Sequence, residues 1–335
     1  MPNNENDAFC QLNAKYSSSI EEIKEYKYLW HYTSTDGFLG IVKDNSLHFW
    51  FTRSDCLNDV SEGKNIMDLY KKTCDGLLHD KKIKIDFYNY IKDVYMSSYQ
   101  FISYPLPSEE EHEHYSMLDY VECNAYICCF SKKEDSLDMW RYYSKSNGGY
   151  GLKTFSTLFE GIEEFESSDY DENAIFSKIH SYEVIYDDSK KKEMLEKIIQ
   201  YAFSAYNQPS GTETEKAEKA EKAKQFIARQ LNTLQFQFKH ECYSSEEEYR
   251  FVYYVPIEQP KGMKNKLPEI KFRNQNGRLV PYIEVVIESG DENLHEVSIS
   301  PFESDITAVD TTREYLLHNK FNCNVRISQL PVRKN

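Results

Sequence analysis

Apolar residues recur along the chain with two periods, and each change of period marks a change of element. Tyr28 to Tyr32 reads as a short strand. Phe38, Ile41 and Val42 then recur at helical spacing, with Ser34 or Thr35 placed to cap that helix and the Asp44-Asn45 pair to turn the chain out of it. Leu47, Phe49 and Phe51 alternate as a second strand. This strand-helix-strand opening sets His31, with Tyr32, Thr33 and Ser34, just ahead of a helix N-terminus, where backbone N–H groups favour an anionic or carbonyl oxygen. Asn58, Asp59 and Glu62, in CLNDVSEG, suit a turn or a helix start.

Residues 61–120 carry apolar positions three and four apart in MDLYKKTCDGLLHD and IKIDFYNYIKDVYMSSYQFI, a helical pattern that runs into an acidic loop, PLPSEEEHEHYS. His112 and His114 in that loop face one way only on a strand, and a metal needs three or four convergent ligands. NAYICCFS, Asn124 to Ser131, is apolar on both faces, the pattern of a central strand, which places Cys128 and Cys129 in the core. SLDMWRYY follows as a short helix, then a Gly148-Gly149 turn and a strand through Gly151, Leu152 and Phe155. A second helical block spans 188–238, broken at Asn207 to Thr214; its alanine, glutamate and lysine repeat is helical by propensity and solvated by charge.

The last third is rich in strands. In EEEYRFVYYVP, Tyr249, Phe251, Tyr253 and Val255 point one way while Glu246, Glu248 and Arg250 point the other. RLVPYIEVVIE is a further strand pair or bent strand, and TTREYLLHNKFNCNVRISQLPVR a closing helix and strand. Strands and helices do not alternate steadily, so the expected class is α+β rather than a doubly wound parallel sheet. The expected organisation is a polar N-terminal arm, 1–25, and a single α+β domain, 26–333, with helical insertions at about 61–120 and 188–238.

Composition narrows the function classes. The 335 residues can bury a sizeable core, and 55 acidic against 40 basic residues, a formal charge of -15, oppose nucleic acid or anionic membrane at long range. No run reaches the roughly 18 apolar residues of a membrane span, and MPNNENDAFCQLN has neither a basic nor an apolar leader region, so a cytosolic location and no membrane partner are expected. Eight cysteines without a CxxC pair read as free thiols. The 27 tyrosines and 19 phenylalanines build an aromatic core or a cleft that stacks a flat ligand. No glycine-rich phosphate loop occurs, nor the acidic-then-lysine pattern of a metal-dependent nuclease.

Glu246, Glu248 and Arg250 are the strongest chemical constellation. Three charges on one strand face beside a core are either solvated ion pairs or arranged around a ligand, with Arg250 holding one carboxylate ionised and the other free to accept from a hydroxyl or to face developing positive charge. His31 either packs and caps at its strand end or faces a ligand. Trp140 and Arg141 read either as a packing anchor and a surface ion pair or as cofactor contacts.

WHYTSTDGFLGIVKDNSLHF, LNDVSEG, CCFSKKEDSLDMWRYYSKSNGGYGL, YSSEEEYRF and ISQLPVR resemble, in that order, the landmarks of a prokaryotic domain family of unknown function numbered 2971, over most of residues 28 to 333. The usual proline after the Asn-Asp pair is Val60 here, and the usual tryptophan of the acidic motif is Tyr249. More distantly, a histidine followed by a hydroxyl-bearing residue on the first strand and a late Glu-x-Glu strand look like the NAD-binding core of ADP-ribosyltransferases. That resemblance implies a split mixed or antiparallel sheet gripping NAD as a substrate. His31 would hold a ribose hydroxyl on the adenine or nicotinamide side, and the Tyr32-Thr33 backbone the carboxamide. Arg53 would pair with the diphosphate, and Tyr126 or Tyr150 would stack on nicotinamide. Glu248 would bind the ribose 2'-hydroxyl and stabilise the oxocarbenium ion, with Glu246 orienting the acceptor; Arg250, Trp140 and Arg141 complete the implied cofactor contacts. The implied activity is NAD-consuming transfer to nucleic acid or protein, as a toxin or antiphage defence effector with a regulatory protein partner. The other reading, from a different class, is a non-catalytic nucleotide-sensing or protein-interaction module of the same fold.

Overall fold

In a computed structural model, which describes residues 26–57, 65–94, 122–144, 148–160, 162, 179–259, 266–275, 277–288 and 293–332, alternating stretches become strands and three-four stretches become helices. The expectations for the arm 1–25, for Asn58, Asp59 and Glu62, and for the His112–His114 loop lie outside these residues. The chain divides into two compact units, one of residues 1–24, 59–102 and 183–242, the other of 25–58, 103–182 and 243–335.

The first unit gathers the two helical stretches. Helices Asn65–His79, Ile85–Ile91, Asp188–Tyr206 and Glu213–Leu234 bury one apolar stripe each, around Tyr70, Phe87, Ile198, Leu195, Phe226 and Leu231. Asp187 and Thr212 cap the latter two, their side-chain oxygens accepting from Lys190 N at 2.8 Å and Glu215 N at 3.2 Å. Among the described residues no helix is long and apolar enough to cross a membrane.

The second unit is built on a mixed sheet, of which the strands are, in chain order, β1 (Tyr28–Thr33), β2 (Val42–Lys43), β3 (Ser46–Arg53), β4 (Cys123–Ser131), β5 (Tyr150–Phe155), β6 (His180–Glu183), β7 (Glu248–Pro256), β8 (Lys271–Gln275), β9 (Arg278–Glu288), β10 (Glu296–Ile299) and β11 (Asn324–Ile327). The order is β11-β10-β5-β1-β4-β3-β9-β8, with β2 on β3, β7 on β4 and β6 on β7. β10 and β11 run parallel, while β1–β5, β3–β9, β4–β7 and β8–β9 are antiparallel. Asp44 and Asn45 have φ of 52° and 57°, a left-handed pair that closes the β2–β3 hairpin. The helix Thr35–Ile41 is capped by Ser34, whose Oγ accepts from Gly37 N at 3.2 Å. Leu29, Phe49, Phe51, Phe130, Phe251 and Ile283 anchor the core on one face of the sheet.

β7 differs from its sequence reading. Every residue from Glu248 to Pro256 is buried, so the charged side is not a solvated face. Glu246 is not on the strand: it ends the 3-10 turn Glu241–Glu246, and Glu247, with φ of 41°, breaks the alternation between them.

Candidate functional site

β4 is paired along one whole edge by β7, from Cys123–Pro256 to Ser131–Glu248. Its other edge is shared. Thr52 and Arg53 of β3 pair with Ile127 and Tyr126, while Trp30 of β1 pairs with Ser131. Between these registers β1 and β3 diverge, and Cys128, Cys129 and Phe130 line a cleft of about 590 Å³. His31, Tyr32, Thr33, Glu246 and Glu248 line the same cleft.

His31 sits where β1 leaves β4. Its Nδ1 lies 2.9 Å from the Cys129 carbonyl oxygen; since a carbonyl only accepts, Nδ1 carries the proton and Nε2 is the ring's acceptor. The imidazole thus satisfies a backbone group that a continuous ladder would have satisfied. Phe49 and Phe130 enclose the ring at 5.5 and 5.1 Å between centres. Burial lowers its pKa to about 4, opposed by the Cys129 hydrogen bond and assisted by the Arg273 charge, so the ring is neutral at pH 7.

Glu248 is held by Arg250 two residues on, on the same side of β7. Nε donates to Oε1 and Nη2 to Oε2, both at 3.0 Å, and the side chains are only 5% and 1% exposed. The paired charges are buried together, which is how a strand carries both on an enclosed face.

Of the other residues singled out in the sequence, Tyr126, Tyr150, Arg53, Trp140 and Arg141 lie outside the cleft lining. Tyr126 is wholly buried in the core, its hydroxyl without a hydrogen-bond partner, and Tyr150 stacks on Phe38 at 4.0 Å; neither lines the cleft. Both were consumed by the hydrophobic interior that large aromatics favour. Arg53 is bidentate to Asp55, at 2.7 and 3.0 Å, which neutralises it. Trp140 is fully buried, donating from Nε1 to Asp135 at 2.8 Å and supporting the edge of Tyr32, while Arg141 is exposed. Tyr32 donates to the Lys133 carbonyl at 2.8 Å and accepts from Ser136 N at 3.2 Å, with burial pushing its phenol well above the ordinary range. Its role is to fix the cleft wall.

Among the lining residues given no chemical role from sequence are Tyr142 and Tyr143, inside the SLDMWRYY helix, and Arg273 on β8. The tyrosine pair was legible as aromatic composition beside a recognised helix. Arg273 was not, because its place in the cleft depends on the long-range pairing of β9 with β3, which carries the β8–β9 hairpin to that wall. Among the described residues no three His, Cys, Asp or Glu side chains converge as metal ligands.

No curated protein and no solved structure matches the chain. The segment 139–251, which runs from the Trp140 helix through the β7 ion pair, matches the model of a family described as protein of unknown function, DUF2971.

Proposed function

We propose that the cleft between β1 and β3 binds NAD and that the chain is an ADP-ribosyltransferase-like enzyme. The observation that supports this reading is that His31 and Glu248, far apart in the chain, line one cleft where two strands part along β4. The step breaks the bond between ribose C1' and the nicotinamide nitrogen; neutral nicotinamide leaves with the electron pair, and an acceptor oxygen or nitrogen of nucleic acid, protein or water bonds to C1' and loses a proton. Glu248, held in place by Arg250, faces the developing oxocarbenium charge and accepts from the 2'-hydroxyl. His31, neutral and with Nδ1 committed to Cys129, accepts a ribose hydroxyl at Nε2. Glu246 orients the acceptor.

The Arg250–Glu248 pairing favours a second reading, a nucleotide-sensing module in which the carboxylate is structural. Incubation with NAD separates the two. The enzyme releases nicotinamide, and Glu248→Gln, assayed at a temperature where it remains folded, does not. A rise in melting temperature with NAD but no release favours the sensing module, and neither effect overturns both readings.

A further inference from the structure

Arg273 stands in the cleft wall with only neutral partners. Its Nη2 donates to Thr52 Oγ1 at 2.8 Å and to Gln275 Oε1 at 3.4 Å, and its guanidinium carbon lies 5.5 and 5.7 Å from the ring centres of Trp50 and Tyr282. Register explains the cluster: Thr52 pairs with Tyr282 across β3 and β9, and Tyr282 with Lys271 across β9 and β8, so Trp50, Thr52, Tyr282, Lys271 and Arg273 share one face. The acid on that face, Glu284, is already bound by Lys43 at 3.1 Å, by Lys271 and by Trp50 Nε1 at 3.4 Å. Among the described residues no carboxylate pairs with Arg273. A half-buried guanidinium stays charged and is costly without an anion, and Nε and Nη1 still have hydrogens to donate.

We infer that Arg273 is the phosphate anchor of the cleft, its guanidinium and the Thr52 hydroxyl proton binding the oxygens of a small nucleotide's phosphate. The inference rests on the nucleotide reading of this cleft and transfers to Arg273 the role that Arg53, neutralised by Asp55, does not fill. A volume of about 590 Å³ lies in the range of small-ligand pockets, and the formal charge of -15 opposes a polyanion.

Titration calorimetry of the full chain with ADP, adenosine and NAD tests it. Wild type is expected to bind ADP more tightly than adenosine, with the ADP affinity alone falling as salt rises. Arg273→Gln is expected to lose on the order of ten- to a hundred-fold for ADP and nothing for adenosine, and Arg273→Lys to recover part. Equal affinities of wild type and Arg273→Gln for ADP overturn the anchor, as does a wild type that binds ADP no better than adenosine. The latter comparison holds even if the glutamine variant does not fold. ADP bound through Arg273 without NAD binding upholds the anchor and removes the NAD reading; NAD bound equally by wild type and Arg273→Gln does the reverse.

Discussion

Glu248→Gln removes one charge from a pair whose side chains are 5% and 1% exposed. Glutamine keeps the shape and one acceptor oxygen, so the loss is electrostatic: the Arg250 guanidinium stays charged, out of water, beside a neutral amide. Breaking such a pair from one side costs about 3–5 kcal/mol, and the retained acceptor places this variant near 3. With a urea slope of roughly 2 kcal/mol per molar, the unfolding midpoint moves down by about 1.5 M. Tryptophan fluorescence is the appropriate probe, because Trp30, Trp50 and Trp140 all belong to the sheet unit and the helical unit has none. The paired change Glu248→Leu with Arg250→Met removes both charges and is expected to recover most of the loss. A single variant as stable as wild type, or a double variant as unstable as the single one, refutes the reasoning. The same number sets the terms of any activity assay, since lost nicotinamide release means nothing from an unfolded chain.

His31 makes the sheet unit sensitive to mild acid. Its folded pKa of about 4 lies below the unfolded 6.5, so its contribution is whole above pH 6.5 and is lost as pH falls toward 4, by about 2 kcal/mol at pH 5. Denaturation midpoints of His31→Gln, which still donates to Cys129 and does not titrate, are expected to stay flat over that window; parallel curves for variant and wild type contradict the assignment. Gly149→Ala places a Cβ 2.8 Å from both Ser144 Cα and the Thr33 carbonyl oxygen, backbone atoms with nowhere to go, and should cost about 2–3 kcal/mol in thermal denaturation while displacing a cleft residue. An unchanged melting temperature would show that the close approach relaxes freely.

Local periodicity carried much of the fold. The apolar run of β4, the alternation of β3 and the three-four spacing of the four helices outside the sheet unit each depend on neighbours within a few residues, which is what a single sequence displays. That the stretches after residues 61 and 188 share one apolar interior depends on contacts far apart in the chain, and no local pattern encodes it. β7 shows a different limit. Alternating charged and apolar residues describe a solvated face and a buried ion pair equally well, and only the exposure of Arg250 and Glu248 tells them apart. The break at Glu247 was also hidden, since glutamate has no special preference for a positive φ. In the site, His31 was legible because its strand end was, whereas KFRNQ of β8 lacks an apolar row and its Arg273 acquires meaning only when β9, its hairpin partner, pairs with the distant β3. Tyr126 and Tyr150 carry the reverse lesson: a tyrosine in an aromatic-rich chain is claimed first by the core.

The parting of β1 and β3 along β4 is the feature on which the functional account stands, and a crystal structure of the protein with ADP-ribose tests it most directly. The account predicts the nucleotide in that gap, a ribose hydroxyl on Nε2 of His31 and a phosphate on Arg273. A nucleotide seated on any other surface, or a His31 Nε2 facing protein atoms with the gap closed, would contradict it.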